Sequence, residues 1–491
     1  MSGFTSVPPE LWALVMDELN YRQLVTASRV CQQWRAVAFD HPSFWRDIHI
    51  ALCGPDAPAV YWLARRLSAG QHRPFVLTID IDDKDIAPVP DEVYSLLRTS
   101  ISTVERLSIN IAATSFERLW GALEVPAPLL SDFSLLARAA PLQPRSPIPP
   151  TIFDGNTPVL RTVRLPAVIE PTIGPSIPAF ARVEHVQIAD NQKLTASFVV
   201  GFFTLFPGAK HFDIHCQRAG LWPVSYDEST LAAIRDRVLA LQSLELCFQF
   251  DRRYDLQEFC KHFPVAHIRR LLLRRPTPED VDMALSHLEG PPYDVIIRHV
   301  DTGSEYFSSR PFTISFASAA SRGTSYRQQR IFLDSDSGYL GRGAHGSGWR
   351  ERVNLVFHDM SIWEQVRSLT ITTSIWPMLA MWQPIPLHVS ELCVVFSLPS
   401  QLVKLSEFGY ATGEALQVLS LRNYGTGISD VDVADVLVFA ERSSSHHRLR
   451  LRVHSSIELS GDTGPLSQYF DLETYDGDSS SWTSFDEAGT E

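Results

Sequence analysis

The chain has 491 residues, of which 45% are hydrophobic and 20% are charged, and its formal net charge is −13. A chain of this length and hydrophobicity can bury a large core in two or more domains, or in one extended repeat domain. The acidic balance argues against nucleic acid as the main ligand, because phosphate binding needs clustered Lys and Arg.

The composition also indicates the cellular compartment of the chain. The most apolar run, residues 198–206, is less than half as long as a bilayer-spanning helix, so no membrane partner is expected. The six cysteines are scattered without any Cys-x-x-Cys pair, which is typical of buried thiols in a reducing compartment. The N-terminus lacks the basic flank and apolar core of a signal peptide. We therefore expect a cytoplasmic and/or nuclear protein.

Three short helices are predicted between residues 5 and 50. Pro8 and Pro9 suit a helix start, because the first helical N–H groups have no partner within the helix. From Glu10 onward apolar residues recur at steps of three and four, at Leu11, Leu14, Val15 and Leu19, with Trp12 and Met16 on a second face. A second helix is predicted after Asn20, and a third from about residue 30 to residue 39, ending before Pro42. Helices this short cannot bury all their apolar groups among themselves, so one face must meet another polypeptide or the chain's own next domain.

The order of these residues is more specific than helical periodicity. The segment opens with Val7-Pro8-Pro9-Glu10-Leu11, continues through Leu19, Leu24 and Val30-Cys31-x-x-Trp34-Arg35, and closes with His41-Pro42-Ser43-Phe44-Trp45. It resembles an F-box. The segment departs from the family pattern at two places: Val7 stands where Leu is usual, and Asn20-Tyr21 replaces an Asp-Pro-like turn.

The resemblance implies a partner and a set of contacts. In the F-box family this segment docks onto a small Skp-type adaptor of a cullin-RING ubiquitin ligase. By position in the motif, the implied adaptor contacts are Pro8, Leu14, Leu19, Leu24, Val30, Cys31 and Trp34. Trp34 and Leu24 are expected to be the costliest of these to truncate, whereas Phe44 and Trp45 are expected to join the box to the following domain. The alternative is a helical cap on that domain, with no adaptor.

From about residue 74 onward a short pattern recurs, with apolar residues at its first, fourth and sixth positions. Ten copies start at Val104, Leu130, Leu160, Val183, Ala209, Leu241, Ile268, Val366, Val389 and Leu416. Such spacing resembles a degenerate leucine-rich repeat array, in which each unit contributes one strand and one helix. The Asn that usually stabilises such repeats is absent, and the alternative is some other α/β arrangement of parallel strands.

The predicted fold class is mixed, α+β or α/β: a three-helix F-box followed by an irregular solenoid, similar to leucine-rich repeats, with a parallel sheet. Its predicted parts are an F-box-like helical domain at 5–50, a repeat domain at 51–460 and an acidic disordered tail at 461–491. Helices are predicted between the strands at 91–98, 116–123, 229–241, 278–288 and 431–442. Within the repeat domain, alternating apolar strands at about 290–360 predict a β-meander or hairpin insertion.

Motifs for catalysis are weak in this sequence. Gly341 to Gly346 spell the dinucleotide-binding pattern, but the required strand before it and helix after it are not predicted, which favours a loop. His211 and His215 fall in a predicted strand, whereas a zinc pair of the metalloprotease type needs a helix and a following Glu. No phosphate-binding loop or hydrolase elbow occurs. The chain is therefore not expected to be an enzyme or to hold a cofactor or metal.

The expected function is that of a substrate-recognition subunit of a Skp–cullin–F-box ubiquitin ligase. Its partners would be the Skp-type adaptor, the cullin ligase core and an unknown protein substrate bound by the repeat domain, and it would contribute proximity instead of chemistry. The basic residues Arg269, Arg270, Arg274 and Arg275 are interpreted as solvated strand edges, or alternatively as a site for an acidic or phosphorylated substrate segment. The rival hypothesis is an interaction scaffold with no ligase role.

Overall fold

The structure is a computed structural model of the chain. It describes residues 8–19, 21–53, 57–70, 73–82, 89–138, 146–166, 169–170, 176–194, 196–219, 228–248, 265–274, 276, 278–288, 290–299, 312–318, 329–334, 364–373, 389–396, 405, 415–423, 428–443 and 447–476. The chain divides into two compact units, Met1–Val265 and Ala266–Glu491, which are described separately.

The first unit begins with four helices. They are α1 (Pro9–Asp17), α2 (Tyr21–Ala27), α3 (Gln32–Asp40) and α4 (Pro42–Trp45). Pro8 is extended and places Pro9 in the first turn, where a missing N–H costs nothing. The backbone of His41 is extended because Pro42 disfavours a helical residue before it, so α3 ends there as predicted. The short α4, which starts at Pro42 itself, was not predicted.

Strands follow through the rest of the first unit, with an α-helix before several of them. The strands are β1 (Asp47–Cys53), β2 (Phe75–Asp82), β3 (Val104–Ala112), β4 (Asp132–Arg138), β5 (Ser146–Pro147), β6 (Thr162–Pro166), β7 (Ile169–Glu170), β8 (His185–Leu194), β9 (His211–Ala219) and β10 (Ser243–Phe248). The helices between them are α5 (Ala57–Ala69), α6 (Asp91–Ser100), α7 (Phe116–Ala122), α8 (Ala196–Leu205) and α9 (Glu228–Ala240), which precede β2, β3, β4, β9 and β10 in that order. Apart from the small β5–β7 pair, each strand pairs in parallel with the next one along the chain.

The register of this sheet explains the recurring apolar pattern. The fourth position of the pattern forms one row across six strands, made of Leu107, Phe133, Val163, Val186, Phe212 and Leu244. Every member of the row is buried. Because successive side chains of a strand alternate between its faces, the sixth position is buried on the same side and the fifth faces outward. The predicted strands are therefore confirmed as one mostly parallel α/β sheet.

The second unit is also built mainly on parallel strands. Its strands are β11 (Arg270–Arg274), β12 (Tyr293–His299), β13 (Phe312–Ser318), β14 (Gln329–Asp334), β15 (Val366–Thr372), β16 (Glu391–Phe396), β17 (Val418–Asn423), β18 (Ser429–Asp432), β19 (Leu449–His454), β20 (Ile457–Ser460) and β21 (Phe470–Tyr475). Its helices are α10 (Pro278–Ser286) and α11 (Val433–Arg442). Strands β12, β15, β16, β17, β19 and β21 are parallel neighbours in that order, and β18 pairs in parallel with β20.

The break in rhythm near residue 290 is a β-meander, as predicted. β12 pairs antiparallel with β13, and β13 pairs antiparallel with β14. The meander is not an insertion beside the sheet, however, because β14 also pairs in parallel with β11 and β12 with β15. The three strands therefore continue the sheet of this unit. The part of the predicted insertion from 335 to 360 lies outside the described residues.

Two predicted boundaries need correction. The division at residue 50 would cut through β1, which runs from Asp47 to Cys53 and already belongs to the sheet. The predicted disordered tail is wrong for residues 461–476, because β21 lies there and pairs in parallel with β19. Phe470 supplies the reason, since its ring is buried in the core. Leu466 is buried as well, and the low aliphatic content of the segment concealed these two apolar anchors.

Candidate partner-binding surface

The four N-terminal helices enclose a small core of their own. Its buried members are Met16, Leu24, Ala27, Ala38, Phe44 and Trp45. Met16 comes from the inner face of α1, and Trp12 on the same face is also buried. These two residues are four apart and so lie above one another on the helix. The face of α1 predicted as secondary is therefore the one that holds the helix in place.

The other face of α1 is apolar and exposed. Leu11, Leu14 and Val15 have 51%, 62% and 46% of their surface accessible, and Val30 in the turn between α2 and α3 has 64%. Leu11, Leu14 and Val15 follow the three- and four-residue steps of a single helical face. Exposed aliphatic residues grouped in this way mark interaction sites on soluble proteins. We call these four residues the apolar patch.

The predicted adaptor contacts fall into three classes in the structure. Pro8, Leu14, Val30 and Cys31 are exposed, and Leu19 and Trp34 are partly buried against the helical core. Leu24 is fully buried in that core. A fully buried side chain cannot contact a partner without rearrangement, so we assign Leu24 to the stability of the domain instead of to its surface. Leu11 and Val15, which were not named as contacts, were detectable from their spacing with Leu14.

Trp34 connects the patch to the core beneath it. Its ring centroid lies 4.8 Å from that of Trp12, with the two planes tilted by 53°. The backbone N–H of Trp34 donates to Sγ of Cys31, 3.4 Å away, so that Cys31 caps the start of α3. Cys31 and Trp34 thus define the turn that carries Val30, the most exposed member of the apolar patch.

The C-terminal end of the helical region is joined closely to the sheet. Phe44 is fully buried and Trp45 nearly so, which agrees with the predicted role of these two residues. Trp45 Nε1 donates to the carbonyl oxygen of Asp40 over 3.0 Å. Sequence reasoning missed Arg66 of α5, a buried cation that donates to the carbonyl oxygens of Phe44 and Asp47. No sequence signal marked it, because an isolated Arg in an amphipathic helix is ordinarily solvated.

The outward face of the first sheet is polar. One row across it is formed by Asp132, Thr162, His185, His211 and Ser243, on five neighbouring strands. The imidazole rings of His185 and His211 are stacked with centroids 4.2 Å apart, and His211 Nδ1 lies 2.8 Å from Ser243 Oγ. Burial lowers the pKa of His185 below its ordinary value. The row offers hydrogen-bonding groups at the spacing of adjacent strands.

The structure also shows where the weak metal-binding and phosphate-binding motifs of the sequence lie. His211 and His215 lie on β9, as predicted, and His215 Nε2 is 3.0 Å from Glu245 Oε1. Among the described residues, no group of three or more His, Cys, Asp or Glu side chains is arranged to hold a metal ion. Arg270 and Arg274 flank the buried Leu271 and Leu273 on β11, consistent with strand-edge positions. The glycine pattern at 341–346 lies outside the described residues.

Comparisons with known proteins bear on the N-terminal helices. A family model described as F-box-like matches residues 4–51. The matched segment contains α1 to α4 and most of β1. No curated protein matches the chain. In the part of the chain that the structure describes, no helix is long and apolar enough to cross a bilayer. The N-terminal segment from 4 to 51 is therefore similar to an F-box-like domain.

Proposed function

We propose that this chain is the substrate-recognition subunit of a Skp–cullin–F-box ubiquitin ligase. The F-box-like domain itself suggests a role of this kind, since F-box proteins are typically adaptors and not enzymes. The apolar patch is the observation that carries the proposal, because it lies within the F-box-like domain and faces solvent. A Skp-type adaptor of the cullin ligase core is the partner we assign to it.

The proposed contacts are the exposed apolar residues of the helical region. They are Pro8, Leu11, Leu14, Val15, Val30 and Cys31, with Leu19 and Trp34 as partly buried supports. Burial of such aliphatic side chains on association contributes about 25 cal/mol for each Å² removed from water. The helical-cap alternative requires the chain itself to cover this face, and the exposure of Leu14 and Val30 argues against it.

For the substrate we propose the sheet-bearing part of the chain. The ten apolar patterns coincide with strands, and the positions between their buried residues face outward, as in leucine-rich repeats. The outward row that contains His185, His211 and Ser243 would recognise a polar segment of a protein substrate. In this scheme the chain brings substrate close to a recruited conjugating enzyme, and the cytoplasm or nucleus is where it would act.

The experiment that tests the adaptor assignment is co-purification of the full chain with a Skp-type adaptor. The wild type should capture the adaptor, and Leu14→Asp combined with Val30→Asp should abolish capture, because charged groups would enter an apolar interface. The matched control is Ile428→Asp, since Ile428 is as exposed as Val30 but lies in the second unit. Failure of the wild type to bind would overturn the proposal, as would equal capture by the double variant.

Reconstitution separates the ligase from a plain scaffold. The adaptor-bound chain is mixed with the cullin core, a conjugating enzyme and ubiquitin, and ubiquitin attached to the chain or to co-purified proteins is measured. Transfer supports the ligase role, whereas adaptor binding without transfer supports the scaffold. The Leu14→Asp, Val30→Asp variant is the negative control in the same assay, because both substitutions lie outside the strands.

A further inference from the structure

The F-box-like domain and the first sheet share one junction without a linker. Helix α4 ends at Trp45 and strand β1 begins at Asp47, so a single residue, Arg46, separates them. The carbonyl oxygen of Arg46 already accepts a hydrogen bond from the N–H of Val76 on β2. A segment this short fixes a distance, but it does not by itself fix a direction, because backbone rotation about Arg46 would swing the helices.

Arg66 of α5 supplies contacts on both sides of that junction. Its Nε donates to the carbonyl oxygen of Phe44 over 2.6 Å, and one terminal nitrogen donates to the carbonyl oxygen of Asp47, also over 2.6 Å. Its guanidinium carbon lies 4.0 Å from the ring centroid of Tyr21 on α2. One side chain therefore contacts the second helix, the fourth helix and the first strand at once.

Neighbouring contacts reinforce the same junction from α5 and from the loop after it. Trp62 and Ala69 of α5 pack against the helical core. Arg73 lies over the Trp45 ring at 4.9 Å and pairs with Asp40 at 3.1 Å. The Asp40–Arg73 pair is exposed and so contributes little energy. Arg66 has only 2% of its surface accessible, so solvent does not weaken its hydrogen bonds.

Burial of a charged side chain costs free energy unless its hydrogen-bond donors and its charge find partners. Burial lowers the pKa of Arg66 to about 10, which leaves it charged at neutral pH. Only the planar fork of a guanidinium can donate in two directions while lying flat on an aromatic ring; an ammonium or a thioether cannot. Arg66 combines two hydrogen bonds to carbonyl oxygens with a guanidinium carbon that lies 4.0 Å from the Tyr21 ring centroid.

We propose that Arg66 is a positioning residue that fixes the direction of the apolar patch relative to the sheet of the first unit. The F-box-like domain is then not a hinged module but an extension of the sheet, and a protein docked on α1 is held at a constant orientation to the outward row of the sheet. This inference concerns the geometry of the chain alone and stands independently of which partner binds the patch.

The test is a distance measurement between two spin labels in the full chain. The labels are attached to non-natural residues introduced at Ala36 on α3 and at Arg106 on β3, which are both exposed. The wild type should give one narrow distance distribution. Arg66→Met should broaden it or shift it by several ångströms while the circular dichroism of the sheet is retained. Arg65→Met is the matched control, since Arg65 is the exposed neighbour on the same helix and lies over Phe39; its distribution should remain narrow.

An unchanged narrow distribution in Arg66→Met would overturn the proposal, because the packing of Phe44 and Trp45 would then suffice. If Arg66→Met does not fold, Arg66→Lys takes its place. Lysine keeps the charge but lacks the fork, so the distribution should broaden; a narrow one again overturns the proposal. Adaptor capture by these variants is measured in a separate experiment. The distance distribution therefore tests the role of Arg66 even if the chain binds no adaptor.

Discussion

The indole rings of Trp12 and Trp34 meet at 4.8 Å across the first and third helices of the F-box-like domain. Trp12 is buried, whereas Trp34 is only partly buried and lies three residues after Cys31. The pair thus joins the core of the domain to the turn that carries Val30. Core packing and the proposed partner-binding surface meet in this contact, and the two roles can be separated experimentally.

Trp34→Ala is expected to lower both the stability of the chain and its capture of the adaptor. Loss of the aromatic pair should cost about 2 kcal/mol of unfolding free energy, less than the roughly 3–5 kcal/mol typical of a buried indole, because Trp34 is only partly buried. Denaturant unfolding measures this, and adaptor capture is measured in buffer without denaturant. Trp34→Phe should restore most of the stability. Unchanged capture by a folded Trp34→Ala protein would remove Trp34 from the proposed surface.

Leu24→Ala should lower the stability of the chain, whereas Leu14→Ala should lower its affinity for the adaptor and leave its stability nearly unchanged. Leu24 is fully buried, so its truncation should cost about 2–5 kcal/mol of stability through lost burial and a residual cavity. Leu14 is exposed, so its truncation should change stability by less than about 0.5 kcal/mol. Thermal melting gives the first comparison and adaptor affinity the second. A large stability loss for Leu14→Ala would show that the chain itself covers this residue.

Truncation should show that β21 is the last strand needed for the stability of the second unit. Removal of residues 477–491 should leave the melting temperature unchanged, because β21 and its pairing with β19 are retained. Removal of residues 469–491 deletes the buried ring of Phe470 and the hydrogen bonds of β21, and it should lower the melting temperature by several degrees. Equal melting of both truncated chains would show that β21 contributes nothing to the fold.

Gly208 should not tolerate a side chain. A Cβ atom there would lie 2.9 Å from the carbonyl oxygen of Ala181 and 3.2 Å from that of Val183, and both are backbone atoms that cannot turn away. Gly208→Ala is expected to cost about 1–3 kcal/mol of stability. The control is Gly121→Ala in α7, where nothing lies within 4 Å and the change should stabilise the helix by up to about 1 kcal/mol. Similar unfolding curves for the two variants would contradict this assignment.

Cys393 and Cys31 should differ in reactivity. Burial raises the pKa of the Cys393 thiol to about 11, so only a very small fraction is thiolate at pH 8. Cys31 is exposed at the start of α3. Alkylation with iodoacetamide at pH 8, followed by peptide mass spectrometry, should modify Cys31 at least tenfold faster than Cys393. Comparable rates would indicate that the strands next to β16 separate readily.

The F-box-like domain and the strand positions follow from local sequence. The motif from Pro8 to Trp45 and the alternation of buried residues along each strand are set by spacing along the chain, which short-range geometry translates directly into helices and strands. Only the tertiary structure decided that Leu24 faces inward, that Arg66 spans the junction and that Phe470 anchors a final strand. Each of these depends on contacts between residues distant in sequence, Arg66 with Phe44 and β21 with β19 among them, and no local pattern encodes such contacts.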